Sequence, residues 1–145
     1  MDARFETFTV LINKISRSVR RIKTEEMSEF NLKAPHVSCL YYIYKEKTLT
    51  SKRLCFLCDE DKAAVSRAID YLSSQGLLTR FNGEGKYKTP FNLTEKGMSV
   101  AKAVSDKIDG ILNLAGDGLS EEERKIFYKN LKLISDNLEK ICNKY

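Results

Sequence analysis

The 145-residue sequence predicts a mainly α-helical fold with a small β-hairpin. Apolar residues recur at steps of three and four along most of the chain, the spacing that lines one face of a helix. Two short amphipathic segments meet at a tight junction in "LTSKRLCFLCDEDKAAVSRAIDYLSSQGLLTR". Just beyond them, the β-prone runs "LLTRF" and "YKTPFNL" flank "NGEGK", where glycines suit a turn that needs positive φ. A chain of this length with 42% hydrophobic residues can build one core, so residues 1–145 read as one compact subunit. Only two prolines and seven glycines interrupt it, which leaves no flexible linker and no low-complexity tract.

The first helix carries Phe5, Phe8, Ile12, Ile15, Val19 and Ile22 as a stripe suited to lengthwise packing against another helix. Arg17, Arg20, Arg21 and Lys23 gather toward its C-terminal end, where the helix dipole favours cations. After "FNLKAP", Pro35 fits the first turn of a second helix bearing Val37, Cys39, Leu40, Ile43 and Tyr44. Thr50 is the expected N-cap of a short third helix that turns Leu54, Leu57 and Cys58 inward. Asp59 or Asp61 can cap the fourth, whose Val65, Ala68, Ile69 and Leu72 share one face and which Gly76 can end in a left-handed conformation. These two form a helix-turn-helix. Pro90 in the return strand of the hairpin suits an edge position. A long helix starts near residue 95, with Ala101, Val104, Ile108, Ile111 and Ala115 in step, and "GDG" stops it. Ser120 and Glu123 form a capping box for the last helix, striped by Phe127, Leu131, Ile134, Leu138 and Ile141.

Twenty-five basic against 20 acidic side chains give a net charge of +5, which favours a polyanionic partner. The excess lies in residues 1–97, because residues 98–145 carry eight of each sign. No apolar run approaches the roughly 20 residues needed to span a bilayer and no basic-then-apolar leader opens the chain, so a cytoplasmic protein without membrane contact is expected. Cys39, Cys55, Cys58 and Cys142 are too sparse for a secreted disulfide framework and read as reduced thiols. Phosphate-binding glycine loops and the nucleophile-elbow pattern are absent, and a single histidine leaves little for a nucleophile and its base; the expectation is no enzyme, no cofactor and no metal.

A helix-turn-helix followed by a hairpin is a winged helix, which lays the second helix of the pair in the major groove of DNA. Lys62, Ala63, Ala64, Ser66 and Arg67 would face double-stranded DNA from that helix. Arg67 can hold a guanine edge or a phosphate, Ser66 either, and the alanines permit close approach and contact with a thymine methyl. Arg80, Lys86 and Lys88 on the hairpin would reach the backbone or the minor groove, with Glu84 at the tip opposing them.

"LTSKRLCFLCDEDKAAVSRAIDYLSSQGLLTR", "NLTEKG" and "GLSEEERKIF" together resemble the MarR family of winged-helix transcriptional regulators. The resemblance covers nearly the whole chain. It implies a winged helix-turn-helix over 32–97, dimerisation helices at 1–24 and 98–145, and a homodimer whose recognition helices read a pseudo-palindrome, most often as a repressor. The apolar stripes agree independently, since pairing them between two chains would bury them. The family wing commonly bears an Asp closely followed by Arg; this chain has Gly85 and Lys86, a point charge in place of a held planar fork. Many relatives are released from DNA by a small aromatic effector bound between the dimer region and the winged helix. In this chain the walls would come from the first two helices and the start of the long one, with His36 and Tyr42 as candidate pocket residues among Tyr41 and Tyr44.

Two other readings remain open in the sequence. A winged-helix dimer could serve as a protein-interaction module without DNA binding, given the modest charge and altered wing. Cys55 and Cys58, a C-x-x-C, could act as a redox pair, although in the family pattern both fill inward-facing slots.

Overall fold

The computed structural model describes residues 3–46, 49–80 and 91–145, which form two compact units, 1–107 and 108–145. In chain order the elements are α1 (Ala3–Glu6), a π-helical turn (Thr7–Leu11), α2 (Ile12–Glu26), α3 (Ala34–Lys45), α4 (Ser51–Cys58), α5 (Lys62–Ser74), β1 (Leu78–Arg80), β2 (Phe91–Leu93), α6 (Glu95–Ala115) and α7 (Glu121–Cys142). The predicted first helix is thus interrupted by a π turn. There the Thr7 and Thr9 hydroxyls donate to the carbonyls of Ala3 and Phe5, both at 2.7 Å, and Asn13 donates its amide to the Thr9 carbonyl at 2.9 Å. Side chains that return to the carbonyl four residues back compete with the regular ladder.

Caps fall where short-range chemistry places them. Thr50 Oγ1 accepts from the Arg53 amide at 3.1 Å, and Asp61, rather than Asp59, caps α5 by accepting from the Ala64 amide at 2.7 Å. Asp59 instead takes a left-handed conformation, φ 51°, that reverses the chain between the two helices. Pro35 lies in the first turn of α3. That helix is capped by His36, whose Nδ1 accepts from the Lys33 amide at 3.1 Å.

In the first unit the core gathers Met27 and Leu32 from the α2–α3 link, Val37, Leu40 and Ile43 from α3, and Leu49 and Leu54 around the start of α4. Val65, Ala68, Ile69 and Leu72 of α5 are buried against them, as the periodicity requires. Each large apolar side chain so buried contributes roughly 1.5–3 kcal/mol, so this face alone seats α5 firmly. Gly76 ends the following turn with φ 74°. β1 and β2 pair antiparallel with Leu78 opposite Leu93, Thr79 opposite Asn92 and Arg80 opposite Phe91. Residues 81–90, which include Glu84, Gly85, Lys86, Lys88 and Pro90, lie outside the described part of the chain.

Thr94 starts α6 by accepting from the Gly97 amide at 2.9 Å while donating its own hydroxyl to the Gly76 carbonyl at 2.6 Å. Gly97 is buried against the Leu77 backbone, and a methyl group there would collide with the Leu77 carbonyl. Lys107 pairs with the Glu29 carboxylate and donates to the Glu26 carbonyl at 3.0 Å, holding α6 to the segment after α2.

The second unit is the end of α6, the turn through Gly118 (φ 88°) and α7. Ser120 and Glu123 form the expected reciprocal capping box, at 3.1 and 2.7 Å. Arg124 folds back to donate to the carbonyls of Gly116 (3.1 Å) and Asn113 (3.4 Å), and lies so close to Gly116 that a side chain there would strike the guanidinium. No residue of α7 is buried within the chain; Ile126, Phe127, Leu131, Leu133, Ile134, Leu138 and Ile141 are all exposed. The stripe of α1 and α2 behaves the same way, with Phe5, Phe8, Ile15, Val19 and Ile22 exposed. The periodicity is real, and among the described residues these two apolar faces stay exposed.

Candidate nucleic-acid interface

The opposite face of α5 from Val65, Ala68, Ile69 and Leu72 carries Lys62, Ala63, Ser66 and Arg67, all exposed. Ala64 turns partly inward and is half-buried, because it lies between the Asp61 cap and the core side of the helix. Lys62 opens α5, where the dipole disfavours a cation, so the helix itself offers no reason for a lysine there. Arg80 stands at the end of β1, whereas Lys86 and Lys88 fall outside the described residues.

Beside this face lies a pocket of about 500 Å³ lined by α2, α3, the α4–α5 turn and the N-terminal half of α5. Val19, Arg20 and Lys23 enter it from α2, and His36, Ser38 and Cys39 from α3; Cys58 and Glu60 come from the turn, and Ala64 and Arg67 from α5. The wall expected from the start of the long helix is supplied by α5, which crosses α3 closely and occupies that side. Of the two candidate pocket residues, His36 is among those lining this cavity and Tyr42 is not. Tyr42 is half-buried further along α3, where burial and the nearby Cys58 raise its phenol above the ordinary value.

The His36 ring stacks on Tyr71 of α5, with centroids 4.0 Å apart and planes 13° from parallel. Burial first, and the Lys33 charge second, lower the imidazole below its ordinary pKa, which suits the acceptor role of Nδ1 at the α3 cap. Lys23 Nζ donates to Ser38 Oγ at 2.9 Å, and burial lowers its ammonium below the ordinary lysine value.

All four cysteines are free, but their arrangement departs from the C-x-x-C reading. Cys58 Sγ lies 3.9 Å from Cys39 Sγ on the neighbouring helix. Helical periodicity put each on an inward face; only the crossing of α3 and α4 could reveal that these faces meet. Lys23 and Arg20 were likewise explained by the helix dipole alone, and their approach to the pocket had no local signal.

Among the described residues, no group of three or more His, Cys, Asp or Glu side chains could hold a metal ion, and no helix is long and apolar enough to cross a membrane.

Residues 30–86 match the model of the MarR family. No curated protein matches the chain. Among solved structures, a MarR protein from Peptoclostridium difficile is 20% identical, with a TM-score of 0.82 over 97% of this chain and 92% of that one. The MepR–DNA complex of Staphylococcus aureus is 21% identical, with a TM-score of 0.79 over 93% and 99%. A MarR family regulator from Neisseria meningitidis is 19% identical, with a TM-score of 0.80 over 97% of each chain. The chain is thus similar to the MarR family over residues 30–86, and over most of its length it shares the fold of these solved structures.

Proposed function

We propose that this protein is a DNA-binding transcriptional regulator that acts as a homodimer in the cytoplasm, represses by occupying a pseudo-palindromic operator, and is released by a small effector. The observation that carries the reading is the division of α5: four side chains seat it in the core while Lys62, Ser66 and Arg67 remain exposed together on its other face. Similarity in fold to MepR, solved as a DNA complex, supports the same use of that face. The uncovered apolar faces of α1–α2 and α7 support a second copy as their partner, since a 22-residue helix with no buried residue gains little from propensity alone. Two-fold pairing would set the recognition helices about 34 Å apart, one turn of DNA. The pocket beneath α5 is the place where an effector could change that spacing, provided it binds one spacing more tightly than the other.

Selection of bound fragments from random DNA, followed by binding at rising salt, tests the reading. An inverted repeat should emerge and affinity should fall steeply with salt. Recovery of no repeat together with salt-independent binding would overturn it in favour of a winged-helix module that binds protein.

A further inference from the structure

Lys23 is the one lysine among the described residues that line the pocket, which it enters from α2. It is half-buried, and its Nζ donates to Ser38 Oγ of α3 at 2.9 Å. Lys102, Lys107, Lys125 and Lys132 are each paired with a carboxylate instead. A carboxylate holds an amine in its charged, unreactive form, whereas a hydroxyl fixes its direction without adding a counter-charge. The geometry points to Lys23 as a covalent trap for a small aldehyde that enters the pocket, with Ser38 as its positioning residue.

The surroundings select this chemistry. A cavity of about 500 Å³ admits a molecule of ring size beside the amine, and Val19, Ala34 and Pro35 offer its body apolar contact. Lining charges of both signs, Arg20 and Arg67 against Asp59 and Glu60, favour a neutral guest over an ion. Burial is the main cause that lowers the Lys23 ammonium below the ordinary lysine value; Arg20 acts in the same direction and Cys58 against both. A lysine desolvated beside another cation is the usual setting of a Schiff-base nucleophile. An aldehyde suits it better than a ketone, because one substituent fewer lets the carbonyl carbon reach a recessed nitrogen.

The step balances without an oxidant or reductant. The neutral Lys23 amine attacks the carbonyl carbon; the C–N bond forms, the C=O π pair moves to oxygen, and the nitrogen proton passes to that oxygen to give a carbinolamine. The C–O bond then breaks, the hydroxyl leaves as water with the second nitrogen proton, and the imine remains. Ser38 Oγ, already bonded to Nζ, is placed to relay the first proton. Ala64 and Arg67 line the same pocket, so the adduct fills space against the helix whose outer face carries Ser66 and Arg67. Release of DNA by the adduct rests on the function proposed above, whereas the covalent bond does not.

The test incubates the full-length protein with limiting benzaldehyde and sodium cyanoborohydride, which reduces an imine to a stable secondary amine, and maps the labelled peptides. Lys23 should be labelled roughly ten-fold faster than the exposed, carboxylate-paired Lys102 and Lys132. Ser38→Ala should slow labelling of Lys23 alone, and Ser38→Thr, which keeps the hydroxyl, should restore it. Labelling of Lys23 no faster than Lys102, or equal rates in Ser38→Ala and the native protein, would overturn the trap or the positioning role respectively. Benzaldehyde should weaken binding of the selected DNA at least about five-fold in the native protein and leave Lys23→Arg unaffected. Unchanged binding by protein mapped as labelled at Lys23 would overturn the coupling to α5. An untreated protein that binds no DNA would overturn the function proposed above, and the peptide map would still decide the trap.

Discussion

His36 and Tyr71 lie face to face, 4.0 Å between ring centroids, and tie the start of α3 to the last turn of α5. Each ring is fixed at its other end: His36 Nδ1 accepts from the Lys33 amide, and the Tyr71 hydroxyl donates to the Asn31 carbonyl at 2.5 Å. A cap and a stacked pair are each worth on the order of 1 kcal/mol, so His36→Ala should cost about 1–2 kcal/mol in urea denaturation.

The same contact sets a pH dependence. His36 titrates below its ordinary value of 6.5 in the folded protein, from burial first and Lys33 second, so the unfolded chain binds the proton more readily. Its contribution is fully present above pH 6.5 and is lost as pH falls through the lower folded value. The stability difference between the native protein and His36→Gln should therefore shrink from pH 7.5 to pH 5. A constant difference would mean that the ring acts by packing alone.

Gly97→Ala reverses the usual helix rule. In an open helix the change would stabilise by up to about 1 kcal/mol. Here the new methyl meets the Leu77 carbonyl, backbone that cannot rotate aside, and a loss of roughly 1–3 kcal/mol in thermal or urea unfolding is expected.

Arg67→Ala should cost about 1–3 kcal/mol at the selected DNA site and relax base choice at one position in each half-site. Lys62→Ala should instead weaken all sequences alike and lower the salt slope by about one. Equal binding by Arg67→Ala across all sites would reduce that side chain to solvated surface.

Charge placed on the uncovered α7 stripe tests the homodimer. Leu131→Glu with Ile134→Glu should raise the dimer dissociation constant by roughly a hundred-fold or more in sedimentation, because a carboxylate would be buried without a partner. An unchanged monomeric mass for both proteins would remove the second copy from the reading.

Alkylation of Cys58 by iodoacetamide should have a pH midpoint below the ordinary thiol value of 9.0. The bond from Cys39 is the main cause, with Lys23 assisting and burial and Glu60 opposing. Cys39→Ala and Lys23→Gln should both raise that midpoint, and Glu60→Gln should lower it. Three variants with one common midpoint would show that these neighbours do not act on the thiolate.

What the sequence by itself determined is local. The caps at Thr50 and Asp61, the Ser120–Glu123 box, Pro35 in the first turn of α3 and the buried face of α5 each depend on residues within a few positions, where backbone geometry leaves little choice. The exposed Lys62, Ser66 and Arg67 follow from that face by exclusion. The π turn was not legible, because Thr7 and Thr9 bond equally well to water until a helix brings a carbonyl four residues back. Only the tertiary structure decided that α5, not α6, walls the pocket, that His36 lines it and Tyr42 does not, and that Cys58 meets Cys39 instead of pairing with Cys55. Those outcomes depend on the angle and register at which helices cross, which ridges and grooves set between segments far apart in sequence and no local period encodes.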